Sequence, residues 1–300
     1  MTKKRIFVGA GTAIITPMSG GRIDYERYEK LIEFQIKNKI GAIVACGTTG
    51  EASTLTDDEH KAVIDFTVEK VGGRTKVIAG AGSNDTAYAI ELSRHCERAG
   101  VDGILHVTPY YNKTTQKGLA KHFFKIADSV NTPIILYNVP SRTNLGILPA
   151  TYCELSKHEN IVATKEASGN MKAIIQTRQL CGDALDIYSG NDEDIVPILS
   201  VGGIGVISVL SNILPKETRE ICELYFSGKT KESADLHIKY IDLVDALFVE
   251  TNPMPIKTAM ALMGMDSGEL RLPLCEMEDK NKALLRDTLK KHGLIGGDGK

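Results

Sequence analysis

The sequence lacks the features that mark a membrane protein, a zinc protein or a nucleotide-binding protein. No apolar run approaches the roughly 20 residues needed to span a bilayer. No H-E-x-x-H motif or Cys/His cluster is present, so we predict no protein-built metal site. No G-x-x-x-x-G-K-[ST] motif occurs, and GAGTAI and GAGSND lack the third glycine of a dinucleotide loop, so we also predict no nucleotide cofactor.

The sequence has little net charge and no closely paired cysteines. A formal charge of -2 over 300 residues gives no basic surface of the kind that binds nucleic acid. None of the six cysteines forms a C-x-x-C pair, and we interpret them as buried thiols of a reducing compartment. The amino terminus has no long apolar core and no small-residue cleavage site, so we predict no signal peptide, no membrane partner and a cytoplasmic location.

What the sequence does have is a regular alternation of short apolar runs and amphipathic segments. Eight runs have continuous rather than alternating apolarity, which is typical of strands covered on both faces. Eight βα units in about 225 residues predict a parallel (β/α)8 TIM barrel over 1–225, followed by a C-terminal helical region over 226–300. A doubly wound open sheet is the alternative, but its glycine-rich first turn is incomplete here. The eight runs are TAIITP, AIVACG, KVIAGAG, GILHVTP, PIILYNVP, IVATKEA, LDIYSGND and GVISVLSN.

In such a barrel the chemistry lies where the strands end, and one lysine stands at such an end. Lys165 follows the small apolar residues of the sixth run, which predicts a desolvated amine. Desolvation lowers the pKa of a lysine and raises the fraction of neutral, nucleophilic amine, which forms a Schiff base with a carbonyl substrate without a metal. The alternative is that Lys165 extends to solvent or pairs with Glu166.

Other strand ends supply groups that such an enzyme needs. Tyr137 precedes Lys165 by one strand and could transfer protons, or serve only as a core aromatic. Thr48 and Thr49 lie in the glycine-flanked turn CGTTGEAS, whose backbone N–H groups suit a carboxylate, although a tight turn alone also explains the glycines. Arg142 lies on a predicted loop and could grip a carboxylate or remain a solvated charge.

Six motifs in order carry a family resemblance. GTTGE, TPYYN, YNVPSRT, IVATKEASGN, YSGND and GVISV resemble the dihydrodipicolinate synthase family, also called 4-hydroxy-tetrahydrodipicolinate synthases. The likeness extends through LFVETNPMPIKTAM and RLPL near the end of the chain. It implies a lyase of the class I aldolase type in lysine and diaminopimelate biosynthesis. Such an enzyme condenses pyruvate with L-aspartate 4-semialdehyde to 4-hydroxy-tetrahydrodipicolinate, without metal or nucleotide cofactor, through a covalent lysine–pyruvate imine.

The resemblance also implies a role for individual residues. Lys165 would form the imine, and Tyr137, Thr48 and Tyr111 would form a hydroxyl relay for proton transfer. Tyr111 would reach into the site of a neighbouring subunit, which implies a homotetramer built as a dimer of dimers. The pyruvate carboxylate would lie at Thr49 and the carboxylate of the second substrate at Arg142. The remaining pocket backbone would come from Gly190 and Ile207.

Two questions remain open within this resemblance. N-acetylneuraminate lyase and 2-keto-3-deoxy sugar-acid aldolases share the fold, the lysine and the tyrosine, and a non-enzymatic ligand-binding barrel is a more distant alternative. TTGE and the arginine of PSRT favour the synthase. Many family members are inhibited by lysine; His60 and Asn84 match that allosteric site, whereas Ala52, Asp57 and Tyr88 replace the usual serine, histidine and glutamate. Because Tyr88 removes the anion that would pair with a lysine ammonium, we predict weak or absent inhibition.

Overall fold

The fold is a closed barrel of parallel strands with a short hairpin beside it. It is taken from a computed structural model that describes residue 3 and residues 5–296, so the signal-peptide prediction and the end of the predicted helical region lie partly outside the described residues. The strands are β1 (Gly9–Ala13), β2 (Met18–Ser19), β3 (Arg22–Ile23), β4 (Ala42–Ala45), β5 (Lys76–Gly80), β6 (Gly103–Val107), β7 (Ile134–Asn138), β8 (Ile161–Glu166), β9 (Asp186–Ser189) and β10 (Gly205–Ser208).

Strand order confirms the predicted (β/α)8 topology. The barrel runs β1-β10-β9-β8-β7-β6-β5-β4, and β1 closes it by pairing in parallel with both β10 and β4. β2 and β3 form a separate antiparallel pair that the sequence did not reveal. β1 begins at Gly9, ahead of the predicted start at Thr12, so the GAG that resembled a cofactor loop is strand. A Cβ on Gly11 would lie 2.9 Å from the Phe7 ring, so close packing explains this glycine.

Helices surround the barrel and continue beyond it. The division into units 1–225 and 226–300 stays a prediction, because the helices form a continuous series across that point. The stretch 263–278, predicted as helical, is irregular and carries contacts to the barrel rim described below. The helices are α1 (Tyr25–Lys37), α2 (Asp57–Val71), α3 (Thr86–Ala99), α4 (Gln116–Ala127), α5 (Pro140–Thr143), α6 (Pro149–Leu155), α7 (Met171–Cys181), α8 (Ile195–Ser200), α9 (Pro215–Phe226), α10 (Thr230–Lys239), α11 (Ile241–Leu247), α12 (Met254–Leu262) and α13 (Asp279–Lys291).

The two largest of three apolar clusters hold this arrangement together. The larger cluster fills the space between the strands and the helices, where both elements bury continuous apolar surface. The smaller cluster fills the barrel interior and includes Val44, Ile78, Ile135, Tyr137 and Ile207. Because the interior is packed with side chains, a substrate can reach the barrel only at its rim.

The prediction that the cysteines are buried thiols is correct for most of them but not for all. Four of the free thiols are buried, whereas Cys153 is partly exposed and Cys275 is exposed. Within the described residues, no helix combines the length and the apolarity that crossing a membrane would require.

Candidate active site

The amine at the end of β8 lies inside the barrel. Only 5% of Lys165 is exposed, so the alternative in which it extends to solvent is wrong. Its backbone pairs with Tyr137 on β7, and its Nζ lies 4.3 Å from the centre of the Tyr137 ring. Tyr137 belongs to the interior apolar cluster, so the amine rests against an apolar aromatic face at the barrel mouth.

Lys165 does not pair with its neighbour Glu166. The Glu166 carboxylate accepts hydrogen bonds from Asn138 Nδ2 at 3.0 and 3.1 Å, from Tyr152 Oη at 2.9 Å and from the Ser168 N–H at 2.9 Å. These donors lie behind the strand, because adjacent residues of a strand face opposite sides. Within the part of the chain that the structure describes, Lys165 Nζ makes no hydrogen bond and no ion pair, so the amine is available to a ligand.

Asp192 is the acidic group that sequence reasoning did not connect with Lys165. Its carboxylate is buried, and one oxygen accepts hydrogen bonds from the N–H groups of Val209 and Leu210, each at 2.9 Å. Burial raises the pKa of Asp192, while its hydrogen bonds and the nearby Lys165 ammonium oppose that rise. The other carboxylate oxygen has no partner in the described structure. Asp192 therefore links the ends of β9 and β10 and places a buried carboxyl group near the amine.

A cavity of about 460 Å³ lies at the rim, and Tyr137, whose ring contacts Lys165 Nζ, is part of its lining. Thr48, Tyr137 and Arg142, three of the residues predicted to act on substrate, line it together. The Thr48 and Tyr137 hydroxyls make no hydrogen bond within the described residues, so both are free to exchange protons with a ligand. The cavity therefore brings two hydroxyls and a cation together, and the Tyr137 ring connects its lining to the Lys165 amine.

The GTTGE turn presents unused donors. The N–H groups of Gly50 and Glu51 bond back to Gly47 and Thr48 carbonyls at 3.1 Å, which closes the turn. The N–H groups of Thr48 and Thr49 donate to no acceptor in the described chain. Unused N–H groups in a tight turn are a suitable site for a carboxylate, as the sequence predicted.

A buried ion pair anchors the GTTGE turn to α12. Glu51 has a left-handed backbone (φ 54°), and both it and Lys257 of α12 have fully buried side chains. Lys257 Nζ donates to Glu51 Oε1 at 2.6 Å and to the Thr16 carbonyl at 3.0 Å. The other Glu51 oxygen accepts the Arg271 N–H at 3.1 Å. A lysine within the apolar helix MPIKTAMAL was the sequence sign of this pair, since a buried ammonium needs a partner.

Arg142 lies on the one-turn helix α5 rather than on a loop. It is exposed at the cavity, and its Nη2 donates to the Asn252 carbonyl at 3.0 Å. Asn252 also donates from Nδ2 to Thr49 Oγ1 at 3.0 Å. Asn252, in the NPMPIK stretch, therefore contacts both predicted carboxylate-binding residues, and sequence reasoning gave it no role.

Gly190 packs against the stem of Lys165, whereas Ile207 lies in the barrel interior. A Cβ on Gly190 would lie 3.0 Å from Lys165 Cγ and 2.8 Å from Ala167 Cβ, so only glycine fits against the lysine stem. Ile207 is buried in β10 and belongs to the interior cluster beneath the rim. Their predicted backbone contacts to substrate stay predictions.

Tyr111 does not join the other relay residues within one chain. It is 93% exposed, has a left-handed backbone (φ 68°) and does not line the cavity, whereas Tyr110 does. Left-handed backbone is strained for a tyrosine, so the turn directs this ring outward at an energetic cost. The relay is therefore incomplete in a single chain, as expected if Tyr111 serves another copy.

The structure does not bring all of the predicted allosteric residues to one cavity. His60 and Tyr88 line the far part of the same cavity with Asp57, whereas Asn84 does not, and its carbonyl accepts a hydrogen bond from Asn112. Tyr88 Oη donates to Asp57 at 2.7 Å, and burial together with this carboxylate raises the pKa of Tyr88. His60 Nε2 lies 2.7 Å from the Gly80 carbonyl, and burial lowers the pKa of His60. Two of the residues that differ from lysine-sensitive members thus satisfy each other.

Within the described residues, no group of three or more His, Cys, Asp or Glu side chains could hold a metal ion. The prediction that the protein uses no cofactor is not tested by this and stays a prediction.

A (β/α)8 barrel with a buried, unpaired lysine beside a tyrosine at its rim defines an enzyme of the Schiff-base, or class I aldolase, type. The model of the dihydrodipicolinate synthetase family matches residues 6–292. The chain belongs to this family.

Known relatives are similar to this chain over nearly its whole length. The chain is 56% identical to the 4-hydroxy-tetrahydrodipicolinate synthase of Clostridium tetani, over 97% of this chain and 99% of the relative. It matches the crystal structure of dihydrodipicolinate synthase from Aquifex aeolicus with a TM-score of 0.95 and 44% identity, covering 97% of this chain and 100% of the other. It matches the Acinetobacter baumannii enzyme, solved as a complex with pyruvate, with a TM-score of 0.94 and 39% identity, covering 96% and 99%.

Proposed function

We propose that this protein condenses pyruvate with L-aspartate 4-semialdehyde to give 4-hydroxy-tetrahydrodipicolinate, in lysine and diaminopimelate biosynthesis. The observation that carries the proposal is the Lys165 amine, buried against Tyr137 and free of any protein partner in the described chain, in a family whose curated relatives bear this enzyme's name. The pyruvate complex of the Acinetobacter baumannii relative supports the first substrate.

The first step is imine formation. The neutral Lys165 amine attacks the ketone carbon of pyruvate, and the carbinolamine loses water to give a protonated imine. The unused N–H groups of Thr48 and Thr49 bind the pyruvate carboxylate and hold the ketone near the amine. The iminium then acts as the electron sink, so the reaction requires no metal or nucleotide.

The second step forms the carbon–carbon bond. The methyl group of the imine loses a proton, and the resulting enamine attacks the aldehyde of the semialdehyde, which becomes a hydroxyl. Arg142 binds the carboxylate of this second substrate. Tyr137 and Thr48 transfer protons through a hydroxyl relay that Tyr111 completes. The substrate's own amine then attacks the imine carbon and displaces Lys165, which closes the ring; the sum consumes two substrates and releases one water.

We also propose a homotetramer built as a dimer of dimers, in which Tyr111 of one subunit completes the site of its neighbour. Its 93% exposure and outward turn support this assembly, because the tyrosine lies outside the cavity of its own chain. A cytoplasmic location is part of the same proposal and is supported by four buried free thiols.

A coupled assay tests the proposed reaction. Pyruvate and L-aspartate 4-semialdehyde are supplied together, and product is measured by its reduction with the following reductase. We expect turnover that requires both substrates and disappears in Lys165→Ala. Cleavage of N-acetylneuraminate or of a 2-keto-3-deoxy sugar acid without this condensation would favour a sugar-acid aldolase. Absence of all three activities in folded protein would favour a non-enzymatic barrel.

A further inference from the structure

Asn252 occupies a position that joins the two predicted carboxylate sites. It lies just before α12, and its side chain is buried, with 5% of the residue exposed. Its Nδ2 donates to Thr49 Oγ1 at 3.0 Å, and its backbone carbonyl accepts a hydrogen bond from Arg142 Nη2 at 3.0 Å. One residue therefore contacts the turn expected to bind pyruvate through its side chain, and the arginine expected to bind the semialdehyde through its backbone.

The hydrogen bond from Asn252 determines whether the Thr49 hydroxyl acts as a donor or as an acceptor toward a ligand. A threonine hydroxyl has one proton to donate, and lone pairs that accept. Because the Asn252 amide donates to Oγ1, it occupies an accepting position and leaves the proton of Thr49 unused. Thr49 is 2% exposed, and within the described chain its hydroxyl donates to no protein acceptor. The hydroxyl proton and the N–H groups of Thr48 and Thr49 thus form a set of three uncommitted donors.

Asn252 is itself held firmly relative to this turn. Five residues further on, Lys257 forms the fully buried ion pair with Glu51, the last residue of the GTTGE turn. The Lys257 N–H bonds to the Pro253 carbonyl at 3.0 Å, so the start of α12 is continuous with this anchor. The amide of Asn252 and the turn are therefore held by the same anchor, which a positioning residue requires.

We infer that Asn252 is a positioning residue that makes Thr49 a hydrogen-bond donor to the carboxylate of the keto acid. The inference rests on the proposed function, since it assumes that pyruvate binds at this turn. It predicts that the side chain of Asn252 governs pyruvate binding, while its backbone carbonyl, which any residue would supply, holds Arg142. The two substrates should therefore respond differently to a change of this side chain.

The test compares Asn252→Asp and Asn252→Ala in the coupled assay. A carboxylate accepts the Thr49 proton and repels the anion of pyruvate, whereas alanine only frees the hydroxyl. We expect KM for pyruvate to rise more than about 10-fold in N252D and about 3- to 10-fold in N252A. In both variants KM for the semialdehyde should stay within about twofold, because the Arg142 contact is unchanged.

Two controls separate positioning from damage to the fold. Asn131→Asp places the same charge on an exposed residue before β7, at the opposite end of the barrel, and should leave both KM values unchanged. Thr49→Val should raise KM for pyruvate, and adding N252A to it should have little further effect, because both act through one hydroxyl. Equal rises in both KM values with a lower melting temperature, or additive effects of T49V and N252A, would overturn the inference.

The outcomes also separate this inference from the proposed function. Borohydride trapping of the wild-type enzyme with pyruvate reports the imine directly. If the wild type is not trapped, the proposed function fails. If the wild type is trapped, and N252D and N252A are trapped at the same pyruvate concentrations, the inference about Asn252 alone fails.

Discussion

At the scale of single residues, buried histidines determine how the fold responds to acid. His106 on β6 and His122 on α4 each have one ring nitrogen without a partner in the described structure. The other nitrogen of each lies near a hydroxyl, that of Ser93 at 3.1 Å and that of Thr86 at 2.9 Å. Burial lowers the pKa of His106 to about 3 and that of His122 to about 4. Both rings are therefore neutral in the folded protein at neutral pH.

Replacing His106 should reduce the sensitivity of the protein to acid. Below pH 6.5 the unfolded chain binds a proton at this histidine and the folded chain does not, so stability is lost as the pH falls toward 3. Between pH 6.5 and 4.5 this loss is about 2 kcal/mol for His106. We expect the urea unfolding midpoint of wild type to fall more steeply over this range than that of His106→Gln. Parallel curves would show that the histidine titrates normally in the fold.

Residues also differ in how far the sequence reveals them. Lys165 stands out because a lone lysine ends an apolar run, and its predicted burial is confirmed. Asn252 does not stand out, because a polar residue in an irregular segment is usually exposed and solvated. Asn252 meets Thr49 across 203 residues of sequence. Such a contact depends on how the barrel closes, which local patterns do not specify.

At the scale of elements, the turn after β4 depends on α12. The Glu51–Lys257 pair has no solvent exposure on either side chain, and the Arg271 N–H completes its acceptors. Arg271 also binds the Glu59 carboxylate twice at 2.6 Å, which lowers the pKa of Glu59 to about 2. The irregular stretch 263–278 thus ties the start of α2 to the same turn.

Breaking the buried pair should cost far more than breaking an exposed one. Lys257→Met leaves Glu51 buried without its cation, and we expect a loss of about 3–5 kcal/mol in the free energy of unfolding. The matched control is Lys231→Met on α10, whose pair with Asp235 is 83% and 60% exposed, so its loss should leave stability nearly unchanged. Urea unfolding measures both. A loss in Lys257→Met as small as that in Lys231→Met would mean that water or another residue stabilises the buried Glu51 carboxylate.

Helices and strands were predicted correctly where the local sequence pattern determines them. The eight apolar runs each form a barrel strand, and a capping box of Thr56 and Glu59, which is a local sequence pattern, begins α2. Gly205 packs closely against the neighbouring strand, since a Cβ there would lie 1.9 Å from the Gly9 carbonyl oxygen. The stretch 263–278 was wrongly predicted as helical, because Arg271 satisfies distant groups such as Glu59 instead of continuing a helix.

At the scale of the whole molecule, the proposed role of Tyr111 places each site between two subunits. If so, two inactive variants should restore activity when mixed. Lys165→Ala lacks the nucleophile and Tyr111→Phe lacks the relay hydroxyl, but a mixed dimer contains one site with both. We expect subunit exchange by unfolding and refolding to give activity above the sum of the separate variants. Activity equal to that sum would mean that each chain works alone.

Regulation also belongs to this scale, because the sensitive members of the family are inhibited at a subunit interface. Tyr88 stands where the resemblance implies a glutamate in lysine-sensitive members, and its hydroxyl donates to Asp57. We expect no half-loss of activity at sub-millimolar lysine in the coupled assay, and increased sensitivity when Tyr88→Glu, Asp57→His and Ala52→Ser are combined. An inhibition curve of wild type with a sub-millimolar midpoint would contradict this prediction.

The most direct test of the account is the covalent bond between pyruvate and the amine of β8. The protein is incubated with pyruvate, reduced with borohydride, digested and analysed by mass spectrometry. The account predicts one reduced pyruvyl group per chain, on the peptide that contains Lys165, and none in folded Lys165→Ala. An adduct on another lysine, or unmodified protein at saturating pyruvate, would contradict it.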